Sequence, residues 1–541
     1  MKSLRLLLLT LPLLAQHGEP QPGKIIPRQW PGYGELRFEV SSKNLEARKW
    51  ANQGLRLVYA FNHPEAAASF KKASEIDPQC AMCFWGLGFS LGNNINVPLM
   101  PENAGPAFEA AVKAMSLKAS ATPREQAYIG ALAQRYAKEN PEDRSKLDEA
   151  YAMAMGKVAD QFPNDLDAQV LYADSLMNLT PWKLWSRDGK PNKYTEEIVT
   201  RLESVLARDP RHMGANHLFI HAVEASKTPE RALASAAILG KLAPGSGHLV
   251  HMPAHVFMRV GDYEEAARVN AVAAELDKAY FRTVAGPSYY LPYWAHNLHF
   301  LSAARSMQGR YEQARIAIGG AVQQLEPLAK MVPMFEASLA MPILLEVRFQ
   351  KWDKILAMPE PSSFSLSVRN AWVFANGMAL AAKGKPKEAT QKLEEFRKAV
   401  DALAAGRNFG LNLEKDVMQI AIHTLEAKIA IADGKLDAAI DALREAVKAE
   451  DSLSYDEPAD WYYPPSREAL GAVLLASGNA AEAEKVFTEE LQNNRRSGRA
   501  LFGLQEALKA QDKADDAALV APLYNQAWKG ADAPLTMKAL F

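Results

Sequence analysis

Apolar residues recur along this chain at the three- and four-residue steps of amphipathic helices, and small residues recur among them on a longer period. The first stretch shows the period best. Counting Ala47 as position 1, Trp50, Gly54, Leu57, Ala66, Phe70, Ala73 and Pro78 stand at positions 4, 8, 11, 20, 24, 27 and 32 of a 34-residue frame. The frame returns with Gly88, Phe108 and Ala111, with Ala232 and Pro244, with Gly261, Tyr263 and Ala266, and with Gly309, Tyr311 and Ala314. Later copies carry Gly377, Gly384 and Ala389; Gly434 and Ala439; Gly471, Gly478, Ala483 and Phe487; and Ala517. Degenerate copies fall near 121–205 and 331–365.

Small residues at positions 8 and 20 let two helices approach closely, and large ones at 4, 11 and 24 fill the groove beside that contact. One such pair cannot bury its apolar face alone, so stacked pairs sharing a continuous core are expected. Asp77-Pro78, Asp209-Pro210 and Ala243-Pro244 are each predicted to stop one helix and start the next. The signature resembles the tetratricopeptide repeat (TPR) superfamily over nearly everything after residue 43. The resemblance implies an all-α fold, a right-handed α-solenoid of about nine or ten helix pairs. It further implies that positions 2, 5, 9, 12 and 13 of each first helix line a concave groove where a peptide, protein or small molecule binds.

Charge narrows the partners. With 62 basic and 63 acidic residues the chain is close to neutral, and no basic stripe interleaved with aromatics stands out, so no nucleic-acid partner is expected. After the N-terminus no apolar run reaches the length of a membrane span. Lys2 and Arg5 precede the apolar stretch Leu6–Leu14, with Ala15 as a cleavage residue, which predicts export to the periplasm or outside the cell. The expected organisation is a signal peptide over 1–16, an extended lead-in over 17–42, N-terminal repeats over 43–205, a histidine-rich centre over 206–330 and C-terminal repeats over 331–541.

The two cysteines, Cys80 and Cys83, follow Asp77-Pro78. Asp77 reads as an N-cap and Pro78 as a first helical residue, which would put both thiols on an opening turn. An i, i+3 pair there can close a disulfide in an oxidising compartment. The same placement would lower a thiol pKa and permit redox or metal chemistry.

Eight of the eleven histidines lie between His212 and His299. The frame puts His217, His221 and Glu224 at positions 5, 9 and 12 of one unit, His248, His251 and His255 at 2, 5 and 9 of the next, and His296 and His299 at 2 and 5 of the third. Steps of three and four keep such groups on one helical face. His212 precedes its helix and falls outside the stripe. Two imidazoles and a carboxylate on one face, beside three and two further imidazoles, suit a transition metal such as copper, zinc or iron, whereas calcium or magnesium would ask for more oxygen. Packed helices stand about 8–10 Å apart, so either one ion between two neighbouring helices or a pair of ions along the stripe is expected. Arg259 at position 13 and Met258 on the same face are the remaining groove candidates.

Other strings are less informative. Asp460–Pro465 reads as a loop-packing aromatic cluster, and Ser288–Trp294 as an insertion covering the stripe. The sequence contains no Ser-His-Asp arrangement, phosphate loop or zinc-protease string, so no catalytic residue is assigned. Two readings stand side by side: an exported metalloprotein, taken as far as a metal-dependent oxidoreductase, and a scaffold that binds a peptide or protein partner in the same groove without catalysis.

Overall fold

A computed structural model describes residues 25–541 apart from 285–288, 331–334, 363, 460 and 462–464. The expected export signal therefore lies outside the described residues, as do parts of the two aromatic strings. Among the described residues twenty-five α-helices, two of them halves of one broken helix, form twelve sequential pairs from Leu45–Tyr59 with His63–Ile76 to Gly498–Lys509 with Ala514–Ala527. Pairs also occupy 121–205 and 331–365, where the frame is hardest to read: Pro123–Leu132 with Ser145–Gln161, Leu166–Met177 with Thr195–Arg208, and Glu336–Arg348 with Trp352–Ala357. The one sheet among the described residues is a hairpin of Asn408–Phe409 against Asn412–Leu413. The protein is an all-α array of stacked helix pairs, and no described helix is long and apolar enough to cross a membrane.

The repeat works through the same contact at both ends of the chain. Phe70, at position 24, packs between Gly54 of its own unit and Gly86 of the next, where a Cβ on either glycine would overlap the ring. Phe487 is held in the same way between Gly471 and Gly503. At position 15 the chain leaves the first helix through left-handed backbone, as at Gly261 with φ 78° and Gly478 with φ 87°. The first unit has Phe61 at that position, with φ 53°, a conformation that disfavours a side chain.

The helix starts differ from the Asp-Pro expectation. Asp77 caps the end of His63–Ile76, and the next helix begins at Ala81 with Cys80 as its N-cap. Likewise His212 and Ser246, each two residues after a proline, cap the helices that start at Met213 and Gly247. The proline serves the turn between helices, and the residue whose side chain accepts an N–H comes after it. Cys80 and Cys83 are joined by a disulfide, with Cα atoms 5.3 Å apart.

The array curls until distant units touch. The lead-in lies against the centre, where Gly245 N–H donates to Gly32 O at 2.8 Å. The first helix meets the Met213–Val223 helix, with the Tyr59 ring against Gly214. From the other side Arg495 pairs with Glu230 at 3.0 Å, its carbonyl accepts from the Tyr263 hydroxyl at 2.8 Å, and Arg187 reaches Asp451 at 3.2 Å. The central units are thus enclosed by both ends of the chain.

Candidate metal centre

Three helices supply the histidines. His217 and His221 stand four residues apart on Met213–Val223, and His296 on Leu291–Met307. Between them the helix carrying the middle three is broken: Gly247–His251 ends before Pro253, which opens Pro253–Val260. A proline nitrogen cannot donate, so the ladder is interrupted between His251 and His255. The break leaves this one chain segment facing both neighbours. Two triads result: His217, His221 and His248, and His251, His255 and His296, with the ligand atoms of each within 4.8 Å of one another. Of the two arrangements expected, one ion or a pair along the stripe, the triads have the geometry of the pair. His299 and Glu224 belong to neither triad.

The stripe was expected to line a concave groove covered by an insertion, and the imidazoles are enclosed. His217, His221, His248, His251 and His255 are buried, and His296 and His299 half-buried. Phe61 stacks on His221 and His248 and meets His217 edge-on at 4.4 Å between centroids. Trp182, with φ 62°, stands edge-on to His221, and Tyr293 from the insertion edge-on to His248. Phe300 packs against His251, His255 and His296. Two of the rings enclosing the first triad are therefore held by backbone that ordinarily favours glycine. Periodicity identifies the face of a helix but not what packs on it, and Phe61 and Trp182 carried no signal in the sequence.

Hydrogen bonds determine which nitrogen of His217, His221 and His251 is free. His217 Nδ1 lies 2.7 Å from Tyr59 O, which can only accept, so Nδ1 holds the hydrogen and Nε2 is a bare lone pair. Asn270 donates from Nδ2 to Ala266 O, turning Oδ1 to His251 Nδ1 at 2.7 Å. His221 Nδ1 donates to Glu224 Oε1 at 2.8 Å, and His255 Nδ1 closes on Glu224 Oε2. The Nε2 atoms then face one another: His251 with His255 at 3.0 Å, and His217 with His248 at 3.0 Å. With both rings neutral and their Nδ1 hydrogens directed to Asn270 and Glu224, His251 and His255 have no hydrogen to share between them. Two nitrogens on one metal, each at about 2.0–2.1 Å, stand about 2.9–3.4 Å apart at angles of 90–110°. Both close pairs have that separation. The third arm of each triad would have to move inward by about an ångström to close on an ion.

Burial pushes His217, His248, His251 and His296 well below the ordinary imidazole value of 6.5, and neighbouring imidazoles add to the shift. Burial also lowers His221, against the pull of Glu224, and holds His299 at about 4. Neutral imidazole is the form that ligates. For Glu224 burial works upward, but His255 and His221 outweigh it and hold the carboxyl below its ordinary range.

Glu224 also accepts from the Tyr455 hydroxyl at 3.0 Å. Arg259 donates from Nε to Glu224 O at 3.1 Å and lies over the Tyr455 ring, and Met258 is half-buried between two apolar cores. His212 caps its helix by accepting from Ala215 N–H at 3.2 Å. Beside His221 and Glu224 a small cavity walled by Ile95, Met177, Trp182 and Leu184 has room for about one water.

No protein-family model matches the chain, and no curated protein matches it in sequence. Among solved structures, a human IFIT1 dimer with PPP-AAAA is similar at 13% identity and TM-score 0.34, over 92% of this chain and 96% of that one. The APC/C hetero-tetramer Cut9-Hcn1 is similar at 14% identity and TM-score 0.33, over 90% and 77%. The P58(IPK) TPR domain is similar at 14% identity and TM-score 0.22, over 86% and 99%. Likenesses so distant carry no argument, and the fold rests on the helix pairs themselves. By those pairs, with Gly-Phe-Gly contacts in the first and late units, the protein is an all-α array of stacked helix pairs with two histidine triads near its middle.

Proposed function

We propose that the protein binds two transition-metal ions, one in each triad, and works as an exported metal-dependent oxidoreductase. The observation that carries the reading is the convergence of Nε2 atoms whose Nδ1 partners are fixed on Tyr59, Asn270 and Glu224. Buried polar groups are nearly always satisfied, and in the neutral rings two lone pairs 3.0 Å apart call for a cation between them. Metal-ligating histidines usually donate their other nitrogen to a carboxylate or carbonyl in this way.

The donor set is six imidazoles with no carboxylate, since both Glu224 oxygens face Nδ1 atoms. Such a set fits copper best, zinc next, and non-haem iron less well because that ion usually takes a carboxylate. Export is supported by the charged and apolar N-terminal pattern together with the Cys80–Cys83 disulfide. A peptide-binding scaffold would need this wall open, and its burial favours the metal reading. The test is to reconstitute metal-free protein separately with copper, zinc and iron. Tight retention of copper with reversible oxidation and reduction supports the proposal; retention of zinc alone removes the oxidoreductase part of it.

A further inference from the structure

Glu224 is a buried carboxylate whose two oxygens go to different triads. Oε1 accepts from His221 Nδ1 at 2.8 Å, and Oε2 meets His255 Nδ1. It is 1% exposed, and the rings it touches, His221 and His255, stand 5.7 Å apart between centroids. It sits at the end of Met213–Val223, with its backbone carbonyl held by Arg259 and Oε2 also accepting from Tyr455. These contacts fix the side chain between the two groups of histidines.

A carboxylate only accepts, and it has an acceptor on each oxygen. We infer that Glu224 is the positioning residue that keeps the Nε2 lone pair of one imidazole in each triad free for a ligand at the same time. This rests on the two-ion reading above. Its consequence is specific, because a glutamine has one acceptor and one donor on nearly the same frame. Glu224→Gln can satisfy only one of the two imidazoles as it stands. The other then faces an N–H donor, turns its Nδ1 into the acceptor, and carries its hydrogen on Nε2, where it can no longer bind a cation. One triad is lost and the other kept.

The experiment loads metal-free protein with copper(II) ions, removes excess by gel filtration and counts copper per chain. Two ions in the wild type, one in Glu224→Gln and two again in Glu224→Asp, which keeps both acceptors, is the expected result. Two ions at unchanged affinity in Glu224→Gln overturns the inference. The second measurement needs no variant: long-range ¹H–¹⁵N correlation on the metal-free wild type reads the hydrogen position on His221 and His255. Both should carry it on Nδ1; hydrogen on Nε2 of either overturns the inference even where Glu224→Gln does not fold. A wild type that binds no copper contradicts the two-ion reading, while the ring tautomers still decide the role of Glu224.

Discussion

The central and C-terminal units are built on one helix-pair plan, yet they treat buried polar groups in opposite ways. Near the C-terminus the two buried carboxylates of Glu468 and Glu414 meet opposite charges. Glu468 accepts from the Ser497 hydroxyl at 3.1 Å and from Arg499, and Arg407 lies between Glu336 and Glu414. In the centre His217, His221 and His251 are tied outward through Nδ1, and the Nε2 atoms of His251 and His255 meet at 3.0 Å. Side chains that complete their own bonding stabilise a stack; side chains that complete everything except one converging set leave a place for something else. The difference separates structural polarity from a site within a single fold.

The largest change is expected where the structural kind is broken. Arg499→Ala leaves Glu468 buried without its charge partner and should cost about 3–5 kcal/mol in urea unfolding. Metal content should be unaffected. A smaller loss there, or a loss of metal, would mean that the two regions are not independent.

Removing the plug on the first triad comes next. Phe61→Ala should cost about 3 kcal/mol, at the low end for deleting a buried phenylalanine because much of the ring's contact is with histidines that can re-pack. It should also speed copper uptake by the first triad, measured by stopped-flow absorbance. Unchanged uptake would show that the metal enters by another path.

Acidification should separate the two regions by sign. His217, His248, His251 and His296 have folded values below 6.5, so the unfolded chain binds protons first. Their contribution is present above about pH 6.5 and is lost as pH falls toward the depressed values, up to about 1.4 kcal/mol per pH unit per imidazole. Burial raises Glu490 instead, so its contribution is present below the ordinary carboxylate range and lost as pH rises. Hydrogen exchange at pH 5 against pH 7 should show the central helices loosening in acid while the C-terminal ones tighten or hold. Uniform loosening would contradict the assignment.

The smallest effect concerns the tie between the regions. Tyr455→Phe removes one hydrogen bond to Glu224 and should cost about 1 kcal/mol without changing the number of ions bound. A loss of metal in that variant would make Tyr455 part of the site.

The stacked helix pairs and the clustering of His217 through His299 on three successive helices were legible because both are short-range properties of a 34-residue frame. The closure was not. It depends on small rotations accumulated over several units, which bring Tyr59 to His217 and Tyr455 to Glu224. Spacing placed Glu224 on the right face but among the ligands, because a carboxylate one turn from a histidine fits either layer of a metal site. The starts of the helices after Pro78, Pro210 and Pro244 were misplaced because Asp-Pro suits a turn as well as a cap.

Under the proposed function the six imidazoles form two metal sites and not a polar core. Elemental analysis of protein purified without an affinity tag, set against chain concentration, tests it most directly when repeated on His251→Ala, His255→Ala. Two ions per chain are expected in the wild type and one in the double variant, which leaves the first triad intact. No metal after reconstitution, or a wild-type count that survives the double change, would contradict it.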